Sequence, residues 1–363
     1  MRFFPVLSVL VSLAFAAASA KDDYPVNAKG YSGVIKAKRS LNILLSNDDS
    51  WASANIRATY YALKTAGHNV LMVAPAQQQS GTGGTVNLPK QATLSGPGRG
   101  GSLPQSAPYR GANASDPGLT YFDGTPAACT LFGLDQVVPD FFKGKAVDLA
   151  VTGPNEGTNL GPFLYTLSGT LGSSYVVVER GIPAIAFSAS TAIRDYKTLN
   201  YDNASDESII IAKYTANLVS TLGDSQSHEK RSNPEAGVLP LGLGGTVNYA
   251  SGVGQVANCS KANWIHTRMT GGAYIDRINI GSNGLPQYEN IVAPGLNRCL
   301  SGDCSLPGEQ DSVNKDKCAA TLSIYSVDYD APTAAQHLLK HRVDGAVKTL
   351  NSKSGKPKSK RSL

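Results

Sequence analysis

Apolar residues occur along this chain in short unbroken runs, set between stretches with helical period. The run Asn42-Ile-Leu-Leu-Ser46 is closed by the polar Asn47-Asp-Asp-Ser50, which predicts a buried strand ending in a turn. Ile56, Tyr60 and Leu63 recur at helical spacing over 52–66, and Gly67 stops that helix. A second buried strand covers 70–74 and is closed by Pro75. Strands that are apolar on both faces and joined through a helix make a parallel βαβ unit. Further strands are predicted over 147–152 and 182–187, and helices over 127–134, 168–180 and 207–222. Residues 153–161 read as a long turn. Residues 76–120 are rich in Gly, Ser, Gln and Pro and have no period, so long loops with a hairpin are expected. The strand-like pieces between 224 and 330 predict an antiparallel extension, followed by a short helix over 333–340 and a disordered tail from Asn351. The fold class is therefore α/β: a Rossmann-like three-layer parallel sheet with an antiparallel C-terminal extension.

The first twenty residues do not fit that pattern. Arg2 precedes an apolar run over 5–17, and Ala18-Ser-Ala20 places small residues where a signal peptidase reads. A signal peptide over 1–20 makes the protein secreted and extracellular. The expected organisation continues with a lead-in over 21–40, a core over 41–223, a cysteine-bearing extension over 224–340 and a basic tail over 341–363. An oxidising compartment changes the reading of the five cysteines. Cys259, Cys299, Cys304 and Cys318 cluster, and four clustered cysteines allow three pairings. The short step from Cys299 to Cys304 makes that pair the first choice, with Cys259–Cys318 as the second and Cys129 free and buried. Asn113-Ala-Ser, Asn203-Ala-Ser and Asn258-Cys-Ser are glycosylation sequons, which matter only in a secreted chain.

Hydrophobic residues make up 41% of the 363, enough for a real core, and charged residues only 17%, which excludes a disordered or coiled-coil protein. The formal charge is +6, but much of the excess sits between Lys353 and Arg361. It describes no nucleic-acid-binding face, and no membrane span is expected in the mature chain.

The polar residues of chemical interest share one topological position. Asp48 and Asp49 follow the first strand, Ser80 the second, and Asn155 the strand at 147–152. In an open parallel sheet the carboxyl ends of the strands form the ligand crevice, so these residues converge. Two carboxylates, a hydroxyl and an amide carbonyl are hard oxygen donors suited to Mg2+, Mn2+ or Ca2+. Each signal has a plainer reading as well. Asp48 and Asp49 can cap the following helix, and Ser168-Gly-Thr170 can cap its own, although a helix N-terminus also binds phosphate.

Taken together, Ser46-Asn-Asp-Asp49, Ser80-Gly81, Gly124-Thr-Pro126 with Cys129, Gly153-x-Asn155-x-Gly157-x-Asn159-x-Gly161 and Ser168-Gly-Thr170 resemble the SurE family in order and spacing. The resemblance covers about 41–190 well and is looser to about 330. It implies metal-dependent hydrolysis of nucleoside monophosphates or other phosphate esters, with Asp48, Asp49, Ser80 and Asn155 as metal ligands. Asp48 or Asp49 would orient or deprotonate the attacking water, and Asn47, Gly81, Asn159, Ser168, Gly169 and Thr170 would surround the phosphate. It also implies a homodimer, unless the C-terminal disulfides cover the apolar face within one chain. The sequence departs from the family at Ser50, where Gly is usual, and at Pro154, where Ile is usual. Those changes at the rim leave a second reading, a catalytically silent phosphate- or nucleotide-binding protein on the same scaffold. A glycosyltransferase of similar architecture would need an Asp-x-Asp, whereas Asp48 and Asp49 are adjacent.

Overall fold

The computed structural model describes residues 28–229, 237–255, 257–270, 275–291, 305–331 and 333–354. The elements in chain order are β1 (Asn42–Ser46), α1 (Ala54–Ala66), β2 (Asn69–Pro75), β3 (Arg110–Ala112), β4 (Leu119–Phe122), α2 (Pro126–Phe132), α3 (Val138–Phe141) and β5 (Leu149–Glu156). They continue with α4 (Gly161–Leu167), α5 (Gly169–Glu179), β6 (Ala184–Ala189), α6 (Glu207–Glu229), β7 (Leu243–Tyr249), β8 (Asn263–Thr267), β9 (Ile275–Ile280) and β10 (Pro286–Ile291). The last are α7 (Glu309–Lys315), β11 (Ala319–Ser326) and α8 (Thr333–Ser354).

Among the described residues nine strands form one sheet in the order β3-β4-β2-β1-β5-β6-β7-β11-β8. The six strands from β4 to β7 run parallel. Both faces are covered, because alternate residues of each inner strand enter different cores. Ile43, Leu45, Met72, Val151 and Phe187 pack with α1 and α6. Leu44, Leu71, Val73 and Ala150 pack with α2 and α5. This is why the inner strands read as continuous apolar runs rather than as alternations.

The structure departs from the sequence expectations at several places. The loop region 76–120 contains β3, whose hairpin partner β4 joins the main sheet against β2. The stretch read as a turn from Gly153 begins as strand. β5 runs on through a cis Gly153–Pro154 bond to Glu156, and its register shifts between Thr152 and Asn155. A Gly-Pro pair is a local breaker, but the neighbouring β6 continues to supply pairing groups, so tertiary context overrides the local signal. After residue 223 the chain adds β7 parallel to β6 before antiparallel pairing starts at β11. β8 then pairs parallel to β11, and β9 and β10 form a separate hairpin. The last helix is longer than expected and includes 351–354, where a disordered tail was anticipated. Cys259 and Cys318 form a disulfide, and Cys129 is free and buried. Cys299, Cys304, the expected signal peptide and the end of the tail lie outside the described residues.

Candidate functional site

The chain leaves β1 toward β2 and β4 on one side and returns to β5 on the other. The carboxyl ends of β1 and β5 therefore form the switch point where open α/β sheets bind ligands. Asp48 and Asp49 follow β1 there, each 1% exposed. Asn155 lies on β5 beside them. One hydroxyl ties the two together: Thr170 Oγ1 donates to Asp48 Oδ1 at 2.6 Å and lies 3.3 Å from Asn155 Oδ1. Thr170 is brought in by the N-terminus of α5, which is capped by Ser168 accepting from the Leu171 N–H. The Gly169 and Thr170 N–H groups are directed to the Asp48 carboxyl. Gly169 is required by close approach, since a Cβ there would lie 2.9 Å from the Asp48 Cβ and 2.8 Å from the Pro126 Cγ.

Asp49 has different partners. Its Oδ2 accepts the Glu156 N–H at 2.8 Å and its Oδ1 accepts Gln78 Nε2 at 3.2 Å. Arg99, from the loop region, donates to the Asp49 carbonyl at 2.7 Å and to Glu156 Oε1 at 2.9 Å. Glu156 Oε1 also accepts from Ser53 and from the Arg194 N–H. Burial pushes the Asp48 carboxyl up from the usual range, against the hydrogen bonds from Thr170. Burial pushes Asp49 well above that range, and the neighbouring charges of Asp48 and Glu156 add to it.

The remaining expected residues fall as follows. Ser80 is exposed on a loop tethered to the site through the Gln79 N–H, which donates to the Asp48 carbonyl at 2.8 Å. Gly81 follows it at φ +82°. Asn47 is buried and donates to the Ser50 carbonyl at 3.1 Å. Asn159 donates to Ser188 Oγ at 2.8 Å, so its amide is engaged within the protein. Ser50, in place of the usual Gly, sits at φ +99°. Its hydroxyl donates to the Ala76 carbonyl and accepts the Ala52 N–H, bonds that offset an unfavourable backbone. Glu156, Arg99, Arg194 and Gln78 were not anticipated. Glu156 stands inside a recognised motif, but nothing in the periodless stretch around Arg99 marks that residue.

A divalent cation fits these residues. Ser46 Oγ, Asn47 Oδ1 and Glu156 Oε2 are buried oxygens without a hydrogen-bond partner in the protein. Buried polar atoms are nearly always paired, so these orphans, on the two residues before the acid pair and on Glu156, point to a missing partner. Among the described residues no three His, Cys, Asp or Glu side chains gather in metal-binding geometry. The donor set here has two carboxylates, supplemented by amide and hydroxyl oxygens.

Comparison with known proteins identifies the family. The family model described as Survival protein SurE matches residues 43–235. An acid phosphatase of Yarrowia lipolytica is 41% identical over 339 residues, covering 92% of this chain and 93% of that protein. A 5'-nucleotidase SurE of Desulfovibrio desulfuricans is 30% identical over 195 residues, covering 53% of this chain and 64% of that protein. The solved structure of SurE protein from Aquifex aeolicus superposes with a TM-score of 0.51 at 23% identity, covering 85% of this chain and 99% of that one. With the family match spanning more than half the chain and the acid pair at the switch point, this protein belongs to the SurE family.

Proposed function

We propose that this chain is a secreted phosphomonoesterase that works with a divalent metal held by Asp48, Asp49, Ser80 and Asn155. The enzyme class, phosphoric monoester hydrolase, is the one its acid phosphatase and 5'-nucleotidase relatives carry in their names. The observation that carries the metal reading is the Thr170 hydroxyl set between Asp48 Oδ1 and Asn155 Oδ1, which brings those two oxygens together. When bound, a divalent ion neutralises a phosphoryl oxygen and lowers the pKa of water. Thr170 and the α5 N-terminus hold Asp48 in one orientation. Asp48 or Asp49 would orient or deprotonate the attacking water, with Asp49 held in place by the Glu156 N–H and Gln78. The positive end of α5 and the amides near Gly81 favour the remaining phosphate oxygens. Ser80 has no base bonded to it, so it is a ligand rather than a nucleophile. Ser50 and Pro154, which suggested a chemically silent phosphate binder, are accommodated locally and leave both acids in place.

Hydrolysis of p-nitrophenyl phosphate with and without EDTA tests this reading, followed by Mn2+ or Mg2+ add-back and a panel of nucleoside monophosphates. Activity that survives complete chelation would overturn it.

If the chain is secreted, its sequons differ in access to a glycan. Asn203 and Asn258 are exposed. Asn113 is 3% exposed, and its Oδ1 accepts from Ser115 Oγ at 2.7 Å and from the Ser115 and Asp116 N–H groups. Glycopeptide mapping is expected to find sugar at Asn203 and Asn258 and none at Asn113. A homodimer is supported by α8, where Leu339, Val343, Val347 and Leu350 form an exposed apolar stripe. Light scattering at micromolar concentration would refute the dimer by giving the mass of one chain.

A further inference from the structure

A second buried carboxyl group stands apart from the Asp48–Asp49 pair. Glu309 is the first residue of α7 and is 0% exposed. Its Oε1 accepts the Gly161 N–H at 2.8 Å, and its Oε2 accepts the Ser323 hydroxyl at 3.0 Å. The Asn248 amide on β7 donates to it as well. Asn248 also brackets Asn159. Its Oδ1 accepts the Asn159 N–H at 2.8 Å, and its Nδ2 donates to the Asn159 carbonyl at 3.1 Å. Asn159 passes the contact to Ser188, which is the cross-strand partner of both Asn155 and Asn248. Asn155 closes the circuit by donating to the Gly157 carbonyl at 2.9 Å. A polar network therefore runs from α7 across the carboxyl ends of β7 and β6 to Ser188, and strand pairing with the loop 157–161 links it to Asn155 of the candidate site.

Burying a carboxyl group is costly unless its hydrogen bonds are satisfied, and a satisfied buried network specifies one geometry. Here the satisfied geometry is that of the loop 157–161 and the start of α4. We propose that Glu309 is a positioning residue for the site: through Gly161 and Asn248 it clamps the loop 157–161 and so sets the place of Asn155. This rests on the metal reading given above. Burial holds the Glu309 carboxyl up at about 8, so at and below neutral pH it carries a proton that Oε2 shares with the Ser323 hydroxyl, and Gln, donating from the same place, is its close isostere. The ionisable side chains on the elements packed around it are His266 on β8, Arg268 just beyond it, Tyr249 on β7, Tyr325 on β11, and Asp311 and Lys315 on α7 itself.

The test compares full-length wild type, Glu309→Gln and Glu309→Ala. Amide hydrogen exchange at Asn159 and Gly161 reads the clamp, and calorimetric Mn2+ titration reads the site. Glu309→Ala is expected to speed exchange in the loop and weaken Mn2+ binding by about tenfold, as loss of an outer-shell partner does. Glu309→Gln is expected to stay within about twofold of wild type in both, because rescue by the isostere follows from positioning and not from charge. Should Glu309→Ala fail to fold, Ser323→Ala and Asn248→Ala each remove one partner and should show the same two changes to a smaller degree. Unchanged exchange and Mn2+ affinity in the folded Ala variants would overturn the proposal while leaving the function standing. Wild-type protein that takes up no Mn2+ would overturn the metal reading and this assignment with it.

Discussion

Two buried acidic centres in this molecule are built in opposite ways. At the switch point Asp48 and Asp49 stand next to each other with Glu156 close by, and their oxygens accept from Thr170, Gln78 and the Glu156 N–H. At the start of α7 Glu309 is equally buried and its oxygens also accept hydrogen bonds, but no second acid stands beside it. Burial raises the carboxyl pKa in both places. The contrast shows that burial alone does not mark a reacting group. Like charges held together mark a place for a cation, whereas a single carboxyl with its bonds complete marks a fixed geometry.

The strongest way to break that comparison is to remove one charge from the pair. Asp48→Asn and Asp49→Asn are each expected to lower metal-dependent phosphate release by about 10²–10³-fold, the scale of losing one pre-organised electrostatic group. Far-UV circular dichroism should stay native, and turnover near wild type in either variant would sink the assignment of the pair. Next in size is the support beneath Asp49. Arg99→Ala leaves Glu156, whose side chain is 1% exposed, as an uncompensated buried charge. Breaking a buried pair from one side costs about 3–5 kcal/mol. Thermal unfolding should show that loss, and Arg99→Met combined with Glu156→Gln should recover only part of it, because Arg99 also donates to the Asp49 carbonyl and Glu156 also accepts from Ser53 and Arg194.

In the C-terminal region, Cys318→Ser opens the Cys259–Cys318 bridge, which spans 59 residues. The expected cost is about 2–4 kcal/mol in chemical denaturation, with the Asp48–Asp49 chemistry retained in the folded fraction. A parallel loss of turnover per folded molecule would show that this region reaches the site more strongly than the Glu309 network implies.

A further effect concerns pH. The folded Glu309 carboxyl sits at about 8, above its usual value of 4.5. The folded state therefore holds a proton that the unfolded chain has released. The stability it contributes is complete below about 4.5 and is lost as pH rises through about 8. The melting temperature of wild type should fall between pH 5 and 9 by a few degrees more than that of Glu309→Gln. Parallel curves for the two proteins would remove Glu309 from the pH response.

The inner part of the fold was legible along the chain. Strands buried on both faces carry unbroken apolar runs, and the helix over 54–66 carries its own period and its stopping glycine. The order of Asp48, Ser80, Asn155 and Thr170 was legible for the same reason, since each follows or opens a recognisable element. Tertiary structure alone decided the rest. The chain continues as strand through Gly153 and Pro154 because β6 lies alongside to pair with it, a partner that local sequence cannot announce. Arg99 reaches Asp49 from a stretch without period, and Glu309 reaches Gly161 across 148 residues. Local periodicity records which face of an element is buried. It does not record which distant polar group will meet another, because those meetings depend on strand order and loop course, and their energy appears only once the sheet has closed over them.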